Sequence, residues 1–371
     1  MDFDFSDDQE QLRDAVRKWV DKAYPFSRRR ATAAGSGFEP AAWLALAELG
    51  LMGLNVPAEH GGMGWGPIEA MVALEELGRG LVLEPVAQSL LCSTVLVRYG
   101  TPALQERWLP TIASGETIAV LAHQERAARY HLDRCDTTAT QQAQGYVLNG
   151  QKGVVPLGDV ADVYLVPAEC DGEIGMFVVE RRSDGVHTSG YSTQGGGRAA
   201  ELRLEAAPAQ LLSADGLAAL ELGVDAGIAC ACAEAVGVMD KALQTTAEYL
   251  NTRKQFGVPI ASFQALRHRV ADMKMQLELA RSMAYYANLK LQAEPAERRL
   301  ALARAKVQLG QSMRFVGQQA VQLHGGVGVT DDYPVSHYFK RLTQLEMTFG
   351  DTTHHLGEVA ARMQSRAGVF L

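Results

Sequence analysis

Residues 219–254, ALELGVDAGIACACAEAVGVMDKALQTTAEYLNTRK, run without a proline and without a cluster of turn residues. Small and apolar side chains fill the first half, so a helix here has almost no polar face and must be enclosed by others. Two further runs, 263–292 and 298–325, have the same helical character and flank Pro295. The third stops at Gly325-Gly326, as a helix ending in a left-handed residue does. A fourth is expected from about 352 to 366. Four helices with short connections predict an antiparallel bundle, and the small residues Gly227–Ala235 would let neighbours approach closely.

Upstream the texture changes twice. GYVLNGQK, DVYLVPA, GMFVVERR and AELRLE, between about 119 and 213, are short and rich in β-branched or aromatic residues, with turn residues around them. Asn149-Gly150 reads as a hairpin turn, since both residues tolerate positive φ. Strands in series without intervening helices predict a small barrel or sandwich. Residues 1–118 read as helical: Leu12, Val16, Trp19 and Val20 recur at helical spacing, then Trp43, Leu44, Ala47 and Leu51. The fold expected is mainly α with a central β domain. Its parts are an N-terminal helical domain (1–118), a β-barrel (119–215) and a C-terminal four-helix bundle (216–371). The Gly195–Gly197 stretch does not open a helix, so it reads as a β-domain loop and not as a dinucleotide fingerprint.

The formal charge of −8 argues against nucleic acid as the partner. No apolar run approaches a membrane span, and the acidic start MDFDFSDDQEQLRD lacks an export pattern. The cysteines at 92, 135, 170, 230 and 232 lack metal or redox spacing and read as small buried thiols in a reducing, cytoplasmic setting. No metal site is expected.

Two motifs are specific. RKQFGVPIASFQ spans Arg253–Gln264, and QLHGGVG spans Gln322–Gly328. Together they resemble the acyl-CoA dehydrogenase family, and the resemblance covers the whole chain. It implies FAD as cofactor and an acyl-CoA thioester as substrate. It also implies a homo- or hetero-tetramer built as a dimer of dimers, with an electron-transfer flavoprotein as acceptor. Carried over residue by residue, Arg253, Gln255, Phe256, Phe263, Gln264, Gln322, Leu323, Gly325 and Gly326 contact the ADP half of an FAD held mainly by a neighbouring subunit. Arg253 then sets a permanent cation by the pyrophosphate, and the glycines let backbone approach it. Gln124 and Val155 are the matching positions on the chain's own flavin side.

The same resemblance exposes departures. The family removes an α-proton with a carboxylate while hydride passes to the flavin. The usual Glu, which precedes a Gly in the loop entering the last helix, is here Phe349 before Gly350; the alternative position used by some relatives is Gly227. Asp351 is the nearest substitute base, but Asp351-Thr352-Thr353 is also a natural N-cap. His354 and His355 read as surface or interface histidines, and Glu346, one helical turn before Phe349, as a weaker base candidate or a bundle or interface charge. The family's TEPxAGSD is replaced by Gln124–His131, which puts Arg129 and Tyr130 where glycine and serine stand. Its Trp-Ile-Thr is replaced by Val154-Val155-Pro156. Arg126 and Arg129 read as surface arginines or as partners of a distal carboxylate. The FGD-x-x-HHL ending, Phe349–Leu356, is most similar to the small subunits of the pimeloyl-CoA dehydrogenase type, which act on dicarboxyl-CoA or bulky acyl-CoA intermediates. Two functional readings follow. One is a competent acyl-CoA dehydrogenase with Asp351 as base; the other is a non-catalytic small subunit that completes a companion's FAD site.

Overall fold

The computed structural model describes residues 5–143 and 145–363. The chain opens with helices α1 (Asp7–Ala23), α2 (Phe26–Ala34), α3 (Pro40–Glu48), α4 (Pro67–Arg79), α5 (Val86–Tyr99) and α6 (Pro102–Ala113). Ser6 starts α1 with a reciprocal cap: its hydroxyl accepts from Gln9 N at 3.3 Å while its own amide donates to Gln9 Oε1 at 3.0 Å. Leu12, Val16 and Val20 form the buried stripe of α1. In α3 the core residues are Ala42, Trp43 and Leu46, and Leu44, expected inside, is 56% exposed. The helix is short, so one residue of phase error turns a side chain outward.

The strands are β1 (Ala119–Leu121), β2 (Thr138–Gln142), β3 (Gly145–Pro156), β4 (Val163–Cys170), β5 (Glu173–Glu180), β6 (Val186–Ser192) and β7 (Arg198–Ser213). Pairings run β2-β3-β7-β5-β4 and return from β4 to β2, so the sheet closes on itself and leaves few free edges. β1 adds to β4, and β6 adds to β7 across the Gly195–Gly197 loop. Asn149-Gly150 is not the hairpin turn. The chain reverses between Gln142 and Gly145, and Asn149-Gly150 is a bulge inside β3, where the register against β7 shifts. Asn149 Oδ1 accepts from Ala206 N at 2.8 Å, and Gly150, at φ 154, would drive a Cβ to 2.5 Å from Thr137 Oγ1. The positive-φ preference is real, but a bulge satisfies it as well as a turn. Gly150→Ala is expected to cost about 1–3 kcal/mol, read from urea unfolding.

Downstream lie α7 (Gly216–Thr252), the two-residue strands β8 (Lys254–Gln255) and β9 (Val258–Pro259), α8 (Gln264–Lys290) and α9 (Pro295–His324). After these come α10 (Pro334–Met347) and α11 (Thr352–Met363). The helix α10 is an addition to the four expected from the sequence. Pro334 sits at its first turn and Val335, Tyr338, Leu342 and Leu345 form its buried face, a pattern short enough to hide between two glycine-bearing turns. The bundle therefore has a fifth helix, and the expected end of the last helix at 366 lies outside the described residues.

Packing divides the chain into two compact units. Among the described residues one collects 5–29, Met71–Val82 and 228–363; the other collects Arg30–Ala70 and Leu83–Gly227. In the first unit α1 and part of α4 pack with the C-terminal helices: Arg17 binds Glu76, Arg79 binds Asp240 at 2.6 Å and Arg281 binds Glu75. The helix α7 is long and apolar enough to cross a membrane by composition, contrary to the expectation that no run is, but its most apolar window is wholly buried in the protein. The free thiols Cys92, Cys230 and Cys232 are buried, whereas Cys135 and Cys170 are only half-buried.

Candidate functional site

The strands β8 and β9 pair Lys254 with Pro259 and Gln255 with Val258, which turns the chain at Phe256-Gly257. Both turn residues are left-handed, at φ 54 and 82, so Phe256 stands out from the surface at 91% exposure. Its ring meets Phe263 edge-on at 6.0 Å, leaving an apolar prong with no cover. Arg253 sits at the base of the prong. Its backbone is fixed by Tyr249 O and Ile260 N, and its guanidinium has no protein partner among the described residues. Gln264 is exposed, and the Gln255 side chain donates to its neighbour's carbonyl, Lys254 O, at 2.7 Å.

The glycine turn lies at the same end of this unit. Tyr249, one turn before Arg253, stacks on His324 at 4.4 Å, and Tyr333 closes the group at 5.2 Å from His324. Arg269, near the start of α8, donates to Gln319 near the end of α9 at 3.0 Å. Gln322 is exposed and Leu323 is buried, which anchors the helix end. At Gly325 and Gly326 an added Cβ would meet nothing within 4 Å, so the turn presents bare backbone to open space. Sequence reasoning finds both motifs but misses the Tyr249–His324–Tyr333 stack that joins them. The His inside LHGG is the available signal.

At the expected base position, Phe349 is held at φ 58 and Gly350 at 107. A left-handed phenylalanine is strained by about 1–3 kcal/mol and persists only where its surroundings over-determine it. Three clamps do so. Lys306, 1% exposed, donates to Leu345 O at 2.6 Å and Glu346 O at 2.8 Å, capping α10. Glu346 Oε1 accepts from the amide and hydroxyl of Thr352, at 3.0 and 2.6 Å. His355 Nε2 lies 3.0 Å from Phe349 O, so that nitrogen carries the proton. His355 is therefore buried and not a surface histidine; burial and the nearby Lys306 push it down to about 3, keeping it neutral. Asp351 Oδ1 accepts from His354 N at 2.8 Å, which makes it the N-cap of α11.

On the β-domain side, Gln124 is half-buried and its carbonyl accepts from Gly153 N at 2.8 Å. Val155 is 1% exposed and turned inward, while Val154 beside it is 54% exposed with φ 52. Arg129 also has φ 52. Beneath this segment Lys152 Nζ meets Glu125 Oε1 at 2.5 Å, both side chains almost fully enclosed. Burial alone would raise the Glu125 carboxyl; Lys152, the Thr137 hydroxyl and the Asp136 amide outweigh it and hold it at about 2.

The sequence matches the model "Acyl-CoA dehydrogenase, N-terminal domain" over residues 6–116 and "Acyl-CoA dehydrogenase, C-terminal domain" over 214–364. It is 30% identical to the acyl-CoA dehydrogenase FadE27 of Mycobacterium tuberculosis over 98% of this chain and 99% of that one. The chain belongs to the acyl-CoA dehydrogenase family. Its fold agrees: the ChsE4-ChsE5 complex from Mycobacterium tuberculosis superposes with a TM-score of 0.89 at 30% identity, covering 99% of each chain. A variant of the Tcur3481-Tcur3483 steroid ACAD gives 0.90 at 29% identity, covering 97% of this chain and 99% of that one. The family's cofactor is FAD, which on binding supplies the hydride acceptor. A partnerless Arg253, an uncovered Phe256 and the open Gly325-Gly326 backbone fit the diphosphate half of that group.

Proposed function

We propose that this chain is the FAD-clamping subunit of a mixed, cytoplasmic acyl-CoA dehydrogenase whose base is carried by a related companion chain. One observation carries the reading: the base position holds Phe349 in a rigid left-handed turn, and the nearest carboxylate, Asp351, is already committed to capping α11. The oxygen that would receive the proton is occupied by the His354 amide at the start of the helix. Two of the similar solved structures carry two-chain names, ChsE4-ChsE5 and Tcur3481-Tcur3483, which supports a two-chain assembly here. So does the outer face of α8, where Met275, Leu279 and Leu289 are each more than two-fifths exposed. Arg253 and the glycine turn would hold the diphosphate of a flavin lodged in the companion, with an electron-transfer flavoprotein as the final acceptor.

The competing reading makes Asp351 the base. Asp351→Asn separates the two, because asparagine still caps a helix. Turnover of the assembled enzyme within about twofold of wild type supports the proposal. A fall of about 10²–10⁴-fold, the usual weight of a general base, refutes it.

A further inference from the structure

The segment that leaves the glycine turn, residues 327–333, is held from one side by α10. Thr330 Oγ1 donates to Val327 O at 2.9 Å, and Ser336 Oγ donates to Thr330 O at 2.8 Å. Lys340 Nζ meets Asp331 Oδ1 at 2.6 Å. The half-buried His337, on the same helix, makes a contact of a different kind. Its Nε2 lies 2.9 Å from Asp331 O, and its Nδ1 lies 2.6 Å from Nη1 of Arg29. A carbonyl can only accept and a guanidinium can only donate, so Nε2 carries the proton and Nδ1 offers its lone pair. The imidazole is thereby fixed as one neutral tautomer that joins α2 to the exit of the glycine turn. Phe26 packs edge-on against the ring at 5.0 Å. Tyr333, in the same exit segment, reaches His324 at 5.2 Å, so a shift at Asp331 is passed to the residue before Gly325.

This bridge depends on charge. Arg29 is 1% exposed, and its guanidinium stays protonated throughout. A second proton on His337 would set two cations face to face and remove the lone pair that Arg29 uses. From α10, Lys340 opposes a charge on His337; the Asp331 carboxylate favours one but is already paired with Lys340. Around Arg29, Arg341 adds a further cation, itself bound to Glu234 of α7 at 2.7 Å, and Tyr24 and Tyr338 also lie beside it. Burial, then Arg29 and Lys340, push His337 below its ordinary 6.5, against the Asp331 carbonyl that accepts from it.

We propose that His337 is a positioning residue of the FAD clamp, a neutral strut from Arg29 to Asp331 that fixes the exit of the glycine turn and releases it on protonation. The proposal rests on the clamp reading above and is independent of which chain supplies the base. All its residues lie within one compact unit. Two variants separate the hydrogen bonds from mere packing: His337→Gln keeps a donor and an acceptor and does not titrate, whereas His337→Leu keeps neither. The first measurement is deuterium exchange of the full chain, corrected for the intrinsic effect of pH. Wild-type peptides covering 327–336 should lose protection at least about fivefold between about pH 7.5 and about pH 5. His337→Gln should stay protected at both, and His337→Leu at neither. In the deflavinated, assembled enzyme, FAD affinity should fall at least about fivefold over that interval for wild type and less than about twofold for His337→Gln. A flat wild-type profile, or a His337→Gln protein that loses protection or affinity as wild type does, overturns the proposal. Protection that follows His337 while FAD affinity does not overturns it as well. Arg253→Ala measured in parallel tells the two failures apart: if it still weakens FAD binding, the strut is wrong and the clamp stands.

Discussion

Arg253→Ala is expected to lower the affinity of the assembled enzyme for FAD by about 10- to 100-fold, the weight of a hydrogen bond to a charged group, roughly 1.5–3 kcal/mol. The side chain has no partner among the described residues of this chain, so its removal costs the fold nothing. The hairpin it stands on is held by Lys254–Pro259 pairing and by Ile260 N donating to Arg253 O, neither of which involves the guanidinium. Flavin-fluorescence titration of deflavinated enzyme measures the loss, and an unchanged circular dichroism spectrum separates it from unfolding. Arg253→Lys should recover part of the affinity, because it keeps the charge but not the two-oxygen fork. An Arg253→Ala enzyme that binds FAD as tightly as wild type would rule out the clamp.

The second large effect is on stability. Lys152→Met is expected to cost about 3–5 kcal/mol, because it leaves the enclosed Glu125 carboxylate uncompensated. Glu125 also accepts from the amides of Asp136 and Thr137 and from the Thr137 hydroxyl, so it closes the segment 125–137 that carries Arg129 and Arg134. Loss of Lys152 should therefore loosen that segment as well as the barrel. The pH dependence has a definite sign. The Glu125 carboxyl is depressed to about 2 from an ordinary 4.5, so its contribution is complete above about 4.5 and is lost as pH falls toward 2. Wild-type stability should drop across that interval, and Lys152→Met should show a flatter profile there, measured by urea unfolding at a series of pH values.

The long helices are legible because apolar periodicity, Pro295 and Gly325 mark their extent without reference to anything distant. The FAD clamp is legible for a related reason: its residues lie in two contiguous motifs whose local conformations, a tight hairpin and a helix stop, are set by Gly257 and Gly325. The helix α10 is not, since it occupies the short interval between two turns and its apolar spacing competes with a loop reading. Asn149-Gly150 signals positive φ correctly but cannot say whether a turn or a bulge will use it. His355 is misplaced outward because nothing local predicts that Lys306 and Glu346, on two other helices, close over that turn. The Glu125–Lys152 pair is invisible for the same reason, being a contact between a loop and a strand far apart in the chain.

The central claim, that this chain grips FAD but lacks a base, is tested most directly by one visible spectrum. The chain is purified alone, saturated with FAD and mixed anaerobically with acyl-CoA thioesters of varied chain length. The expected result, because the flavin lodges in the companion, is no bleaching of the added flavin until a base-bearing companion chain is present. Rapid bleaching of the chain alone, abolished by Asp351→Asn, would contradict it.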